Sequence, residues 1–421
     1  MCGIFGVVSN RVIDKNKLKK IVDHSKQRGK DSSGLIYIEN DTYQINRADF
    51  EIDKLLANVK PYKSNIVLGH SRLITNGLGD NQPVLRGKIA AIHNGIIINE
   101  DEVWSKLSVK RLLNIDSELI VAIAEEHLRQ NKPLEEIPLE ILSLCKGVIS
   151  CALVLPEHGK LLLFSNNGSL YIGESDGRTY FASESYGLHL INCKNIAQIK
   201  NEFKILDIPN SNLEFNIIDK KSRIENLIPE FKINTAEQSL LLYEIHNIKR
   251  CTKCILPETM PFIKFDSLGV CNYCNNYKPR NNPKPKNELF ELMEPYRRKG
   301  KELDCIVPFS GGRDSCYGLH LIVKELKMKP VTYTYDWGMV TDLARRNIAR
   351  ICGDLGIEHI IIAPDLKSKL RNIRLNLSAW IKKPDLGLIP LMMAGDKQFF
   401  YYAGILRKER KSDSIVLCAG N

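Results

Sequence analysis

The apolar residues of this chain come in two textures, and the change between them constrains the fold more than any other feature. From residue 1 to about 220, short β-like runs (IFGVV, GLIYI, NIVLGH, KIAAIHNGIIIN, VISCALVL, KLLLF, RTYFA) are separated by Gly, Asn and Asp turns, the spacing of packed antiparallel sheets. Two helical stretches interrupt them, at about 15–28 and 116–130. In the second, Leu119, Ile120, Ile123, Ala124 and Leu128 share a face of period 3.6. Beyond residue 301 strands alternate with helices: DCIVPFS, a helix over about 314–327, PVTYTYD, a helix near 341–354, HIIIAP, helices near 366–382 and 390–409, then SIVLCAG. Such alternation predicts a parallel sheet of βαβ units. Two kinds of sheet need two cores, and 421 residues leave room for two to three domains.

Between the textures lies 278–301, with four prolines and eight basic against three acidic residues, read as a connector with a short helical pattern at 287–297. The last apparent strand, 414–419, stops two residues before the end of the sequence, where an α/β sheet normally turns into a functional loop; a C-terminal truncation is therefore expected. No window reaches the ~18 uninterrupted apolar residues of a membrane span, and MCGIFGVVSN has no basic segment before its short apolar run. A soluble, cytoplasmic protein without membrane partners is expected. The formal charge of +11 suits phosphate-bearing partners but, spread over this length, does not make a nucleic-acid binder. The twelve cysteines, with no secretion signal, are read as reduced thiols.

Five residues form a first chemical constellation: Cys2, Arg72, Asn94, Gly95 and Asp116. With the initiator Met removed, Cys2 carries an α-amine of ordinary pKa ~7.7–8.0 beside its own thiol at ~8.5, so nucleophile and base share one residue. Asn94-Gly95, flanked by AAIH and IIIN, is also the signal of a type I′ hairpin turn, whose tip could offer two donors to an oxyanion. Arg72 could fork onto a carboxylate, and Asp116 opens a helix where it would equally serve as an N-cap. The second constellation is Cys251, Cys254, Cys271 and Cys274, two CxxC knuckles suited to a closed tetrahedral Zn²⁺ site; a redox dithiol and an iron–sulfur cluster are the alternatives. The third is SGGRDS, Ser310 to Ser315, which follows a strand and opens a helix. Gly311 and Gly312 let backbone N–H groups approach an anion, although an ordinary βα turn has the same look. It does not fit GxxxxGK[ST]. Asp336, ending the second strand, is either a nucleotide contact or a turn residue, and Lys397 either meets phosphate or decorates a helix.

In their order along the chain, MCGIFG at 1–6, RGKDSSG at 28–34, GHSRL at 69–73, QP at 82–83, HNGIIIN at 93–99 and DSE at 116–118 resemble class II glutamine amidotransferase domains. That resemblance covers about residues 1–220 and implies the four-layer αββα fold of N-terminal nucleophile hydrolases. It implies that Cys2 is nucleophile and base, that Asn94 and Gly95 form the oxyanion hole, and that Arg72 and Asp116 hold the α-carboxylate and α-ammonium of glutamine. Arg28, Gly29 and Asp31 match the substrate loop, with Lys30 where asparagine synthetases often carry Pro. SGGRDS resembles the PP-loop of ATP pyrophosphatases of the adenine nucleotide alpha hydrolase-like α/β fold. By that likeness Ser310, Gly311, Gly312, Asp314 and Ser315 bind pyrophosphate. The stretch CTKCILPETMPFIKFDSLGVCNYC followed by VPFSGGRDS is similar to N-acetyl sugar amidotransferases of surface-polysaccharide biosynthesis.

The division expected is a glutaminase at 2–220, a linker with a Cys₄ zinc module at 221–286 and a PP-loop domain at 287–421. The function implied is glutamine- and ATP-dependent amidotransfer, with Zn²⁺ structural, Mg²⁺ accompanying ATP, and an acceptor sugar or carboxylate. Asparagine synthetase-like amidation, a tRNA-modifying PP-loop enzyme and a scaffold with one dead site stay open, as does the oligomeric state.

Overall fold

The computed structural model describes residues 3–59, 61–73, 80–209, 212–220, 247–278, 284–297, 303–338, 340–363, 366–382 and 390–418. Cys2 lies outside them, as does 221–246 within the expected linker, and the side chain of Lys397 is not described.

Tertiary packing divides the chain into two compact units, Met1–Ser222 with Met293–Lys369 and Gln398–Asn421, and Arg223–Leu292 with Leu370–Lys397. The first unit holds two large sheets. One has eight strands in the order Lys194–Gln198, Tyr171–Ser175, Arg178–Ala182, Gly3–Val8, Ile66–Arg72, Ser32–Glu39, Thr42–Ala48, Asn212–Lys220. The other has five, Glu202–Asp207, Lys160–Ser165, Gly147–Leu155, Ile89–Ile97, Val84–Arg86. Neighbouring strands are antiparallel, except that Asn212–Lys220 pairs parallel to Thr42–Ala48.

Alternation along each strand gives every sheet two faces, and here both faces are apolar. Ile4, Ile36 and Leu68 of one sheet meet Ala90, Ile92, Ala152 and Leu163 of the other to fill the space between them. On the outer sides, Phe5, Val7 and Leu35 pack beneath the helices Lys15–Ser25 and Ile52–Val59, and Ala91, Ile149 and Leu153 beneath Ser117–Arg129 and Glu136–Leu144. The result is the αββα sandwich expected of an N-terminal nucleophile hydrolase. Each fully buried Leu, Ile or Phe contributes roughly 1.5–3 kcal/mol to holding it. Lys15–Ser25 shows the local logic: Asp14 caps it by accepting from the amides of Asn16 (2.8 Å) and Lys17 (3.1 Å), and Leu18, Ile21, Val22 and Ser25 fall on the buried face.

Also in this unit is a three-stranded parallel sheet, Cys305–Pro308, Pro330–Tyr335, His359–Ile362, with the helices Arg313–His320 and Asp342–Leu355 as crossovers. The strand expected over 414–419 is reduced to one parallel bridge, Ile306 to Ile415. The sandwich and the parallel sheet adhere through polar contacts. Asn167 Nδ2 donates to the Ile357 carbonyl at 3.2 Å, and Arg346 lies 3.7 Å from Glu100. Arg410 reaches Ser185 Oγ at 2.6 Å, the Tyr171 hydroxyl at 3.0 Å and the Glu358 carboxylate, all of them buried. In the second unit the described residues comprise the Cys₄ segment with its short helix Asn272–Asn276, most of the helix Lys286–Met293, which begins the connector pattern, most of the helix Leu366–Lys382 and the first part of the helix Pro390–Glu409.

Candidate active site

The site grows from the strand Ile89–Ile97, and here the turn expectation is overturned. Asn94 and Gly95 lie within a continuous nine-residue strand, in register with Ser150 and Ile149 of Gly147–Leu155. Pairing with that partner supplies backbone hydrogen bonds a two-residue turn would forgo, so the long apolar run prevails over the local Asn-Gly signal. Gly95 is required by close approach, because a Cβ there would sit 1.8 Å from the Val148 carbonyl oxygen. Asn94 is fully buried; its Oδ1 has no hydrogen-bond partner and its Nδ2 is 3.5 Å from Ser183 Oγ, the outer limit for such a bond. That same Ser183 Oγ accepts from the Ile4 amide at 2.8 Å, which places the Asn94 amide beside the first strand, Gly3–Val8. A narrow cleft, with room for no more than about one water molecule, borders Gly3, Ser25, Arg28, Ser183 and Glu184.

Asp116 stands at the N-cap position of Ser117–Arg129 but does not cap it. Its Oδ2 accepts from the Ile97 amide at 3.0 Å and its Oδ1 from Ser117 Oγ at 3.2 Å, so the carboxylate is tied back to the strand that carries Asn94. Arg72, at the end of Ile66–Arg72 and 2% exposed, donates to the Asp80 carbonyl. The loop with Gly29 and Asp31 lies against it, the Asp31 amide donating to the Arg72 carbonyl at 3.0 Å. Arg28 is directed elsewhere. Buried, it gives its Nε to Glu184, and its two terminal nitrogens have no partner. Burial would raise the Glu184 carboxyl, but Arg28, with His24 and Arg410, holds it at about 2. His70 and His93 are both held below the usual imidazole range, by burial first; neighbouring Arg72 pushes His70 the same way, whereas Asp116 pulls His93 back up. Two neutral rings thus lie beside the Asp116 carboxylate.

Gln82, Ser117, Ser183 and Glu184 are participants that residue-by-residue reading passes over. Gln82 and Ser117 stand inside the QP and DSE motifs, which is the one signal that could have marked them. Ser183 and Glu184 follow a strand end and carry none.

The four sulfurs of Cys251, Cys254, Cys271 and Cys274 lie within 4.8 Å of one another. Tetrahedral Zn–S bonds of 2.3 Å separate sulfurs by about 3.8 Å, and Cys251–Cys274 at 4.0 Å and Cys254–Cys271 at 3.5 Å bracket that spacing. The amides of Lys253, Cys254 and Cys271 point at the Cys251 sulfur (3.4, 3.4 and 3.2 Å); burial would raise this thiol, yet those N–H groups bring it down to about 6. Four sulfurs at this spacing, one of them already favouring the thiolate, fit a zinc ion.

At the third constellation, Gly311 takes φ +73°, the left-handed region glycine favours, and Gly312 caps the helix Arg313–His320. Ser310 Oγ accepts from the Gly312 amide at 3.3 Å and lies 3.1 Å from Ser315 Oγ. The exposed Asp314 is 3.4 Å from Arg313. Asp336 is not left open: 1% exposed, it pairs with Arg345 at 2.8 Å and accepts from the Gly338 amide at 3.0 Å.

Residues 70–189 match the model of the glutamine amidotransferase domain family. Similar curated proteins are glutamine–fructose-6-phosphate aminotransferases (isomerizing): one from Thermococcus kodakarensis is 27% identical over 65% of this chain and 48% of its own, and one from Wigglesworthia glossinidia brevipalpis is 31% identical over 51% and 36%. The chain therefore spans less than half the length of these relatives. Among solved structures, a glutamine phosphoribosylpyrophosphate amidotransferase from B. subtilis, complexed with ADP and GMP, aligns with a TM-score of 0.43 and 18% identity over 49% of this chain and 47% of its own. The matched stretch lies within the sandwich, is similar to a glutamine amidotransferase domain, and contains Arg72, Asn94, Gly95 and Asp116. No helix among the described residues is long and apolar enough to cross a membrane.

Proposed function

We propose that this protein hydrolyses glutamine at Cys2 and passes the ammonia to an acceptor activated with ATP at Ser310–Ser315. The observation that carries the first half is the Asn94 amide beside Ser183, which holds the backbone two residues beyond Cys2. The thiolate of Cys2, its proton taken by its own α-amine, adds to the glutamine carboxamide. Asn94 Nδ2 and the Gly95 amide stabilise the oxyanion, Arg72 and Asp116 grip the α-carboxylate and α-ammonium, and the protonated nitrogen leaves as ammonia. Water then releases glutamate from the thioester.

In the second half an acceptor oxygen attacks the α-phosphorus of ATP, pyrophosphate leaves, and ammonia displaces AMP from the activated carbon. The left-handed Gly311 and the helix N-terminus at Gly312 support phosphate binding. Mg²⁺ would enter on the nucleotide's phosphates, because among the described residues no cluster of three His, Cys or carboxylate ligands lies at this loop. The Cys₄ segment would hold one structural Zn²⁺. An N-acetyl sugar converted to an acetamidino sugar is the acceptor we favour, and relatives named for a sugar phosphate support the sugar class.

The test supplies amide-¹⁵N glutamine and ATP with UDP-N-acetyl sugars, aspartate, sugar phosphates or tRNA, and follows glutamate, AMP and the label. Label in a sugar product with stoichiometric AMP supports the proposal, and label in aspartate selects the carboxylate reading. Glutamate formation that survives Cys2→Ala overturns the first half, and labelled product without AMP overturns the second.

A further inference from the structure

Gln82 is 3% exposed and makes all its side-chain hydrogen bonds to two residues of the glutamine site. Its Oε1 accepts from the His93 amide at 2.6 Å, and its Nε2 donates to the His93 carbonyl at 3.2 Å and to Ser117 Oγ at 3.0 Å. A carboxamide that bonds both the N–H and the C=O of one residue does for that residue what a neighbouring strand does in a ladder. The residue it grips immediately precedes Asn94.

Ser117 extends the grip to the other side of the site. Its hydroxyl is 3.2 Å from Asp116 Oδ1 and 3.0 Å from His93 Nδ1, and it has one proton to give. The Val148 carbonyl, 3.4 Å from His93 Nε2, can only accept. With the imidazole proton there, Nδ1 competes with Asp116 for the hydroxyl proton. An ammonium docked on Asp116 brings its own donors, which frees Ser117 to bond His93.

We propose that Gln82 is a positioning residue for glutamine hydrolysis: through the His93 backbone it sets Asn94 and Gly95, and through Ser117 it sets Asp116, so oxyanion donors and ammonium acceptor share one frame. This rests on the glutaminase reading. The task needs an acceptor at one atom and a donor at the other. A protonated carboxylic acid accepts at one oxygen and gives one proton from the other, where the amide gives two, and a carboxylate gives none.

The test measures glutamate release by the full chain, in kcat and KM from pH 5.5 to 8.5, for wild type, Gln82→Met, Gln82→Glu and Ser117→Ala, with thermal melts alongside. The charged or titratable groups facing the cluster are Asp116, Glu100 beside it, His93, His70 and Arg72, with Arg47 bound to the Pro83 carbonyl, and all are common to every variant. Gln82→Met is expected to lower kcat on the order of 10- to 100-fold and to raise KM, since the donors at Asn94 and Gly95 lose their alignment. Ser117→Ala should raise KM severalfold with kcat near wild type. Gln82→Glu should recover part of the wild-type activity at the acid end and fall away as pH rises and the new side chain ionises. Wild-type kcat and KM in Gln82→Met, a pH-independent Gln82→Glu to wild-type ratio, or an unchanged KM in Ser117→Ala would each overturn the proposal while leaving glutamine hydrolysis standing. A wild-type protein that releases no glutamate would overturn both. Should Gln82→Met fail to fold, the Ser117→Ala and Gln82→Glu readouts still decide.

Discussion

The glutamine site and the Ser310–Ser315 loop treat water in opposite ways. At the first, Arg72, Asn94 and Asp116 are buried in strands and at a helix start, and hydrogen bonds from Gln82, Ser117 and Ser183 link its parts. At the second, Ser310, Gly312, Arg313 and Asp314 are exposed and only Ser315 is buried. Stabilising charge that develops on one small oxygen calls for donors fixed in advance inside a low-dielectric interior. Receiving a large polyanion calls for main-chain N–H groups at an open rim. Under the proposed function, the contrast is between two binding problems met within one compact unit, one by burial and one by exposure.

The strongest way to break this contrast is Asn94→Ala. It should cut the glutaminase kcat about 10²- to 10³-fold, roughly 3–4 kcal/mol, with ATP affinity unchanged in a nucleotide titration. A loss of ATP binding there would show that the two sites are not independent. Next is Glu100, beside the first site. Burial and the charge of Asp116 raise its carboxyl to about 7, against the pull of Arg111 and Arg346. A folded pKa above the unfolded one means protons favour the native state, so this group's stabilisation is complete below about 4.5 and lost as pH climbs through 7. Glu100→Gln should flatten the fall in urea midpoint between pH 5 and 8, by on the order of 2 kcal/mol after discount for its Arg neighbours. An unchanged slope would sink that assignment. Gly311→Ala comes third. It forces a Cβ into the left-handed region and to 2.7 Å from Ile348, which should cost about 1–2 kcal/mol and weaken ATP binding while glutaminase kinetics stay put. Smallest is Arg313→Ala, whose side chain is 95% exposed; its unfolding free energy, from urea titration, should stay within about 0.5 kcal/mol of wild type.

Much of this architecture is legible from residues alone where a long periodic pattern speaks. The helices Asp342–Leu355, Leu366–Lys382 and Pro390–Glu409 fall within a residue or two of where strand–helix alternation puts them. The misreadings occur where a distant partner decides. Asn94-Gly95 looks like a turn until Gly147–Leu155 is laid beside it. Asp116 has the sequence of a cap, yet the Ile97 amide, nineteen positions away, claims its oxygen. Arg28 sits in a substrate-loop motif but is drawn to Glu184, and nothing local announces that pairing across 156 residues. Gln82 fared likewise: the motif marks its importance, while its task depends on which backbone runs past it.

The grip of Arg410 on Tyr171, Ser185 and Glu358 bears on anyone wishing to borrow the sandwich as a stand-alone module. A gene shortened after residue 222 would remove the guanidinium and Glu358 together, exposing the Tyr171 face to solvent and leaving the ion pair of Arg28 and Glu184 without its nearby cation. Such a fragment would emerge with a wound where its neighbour had been, and a transplant would succeed only with that surface redesigned.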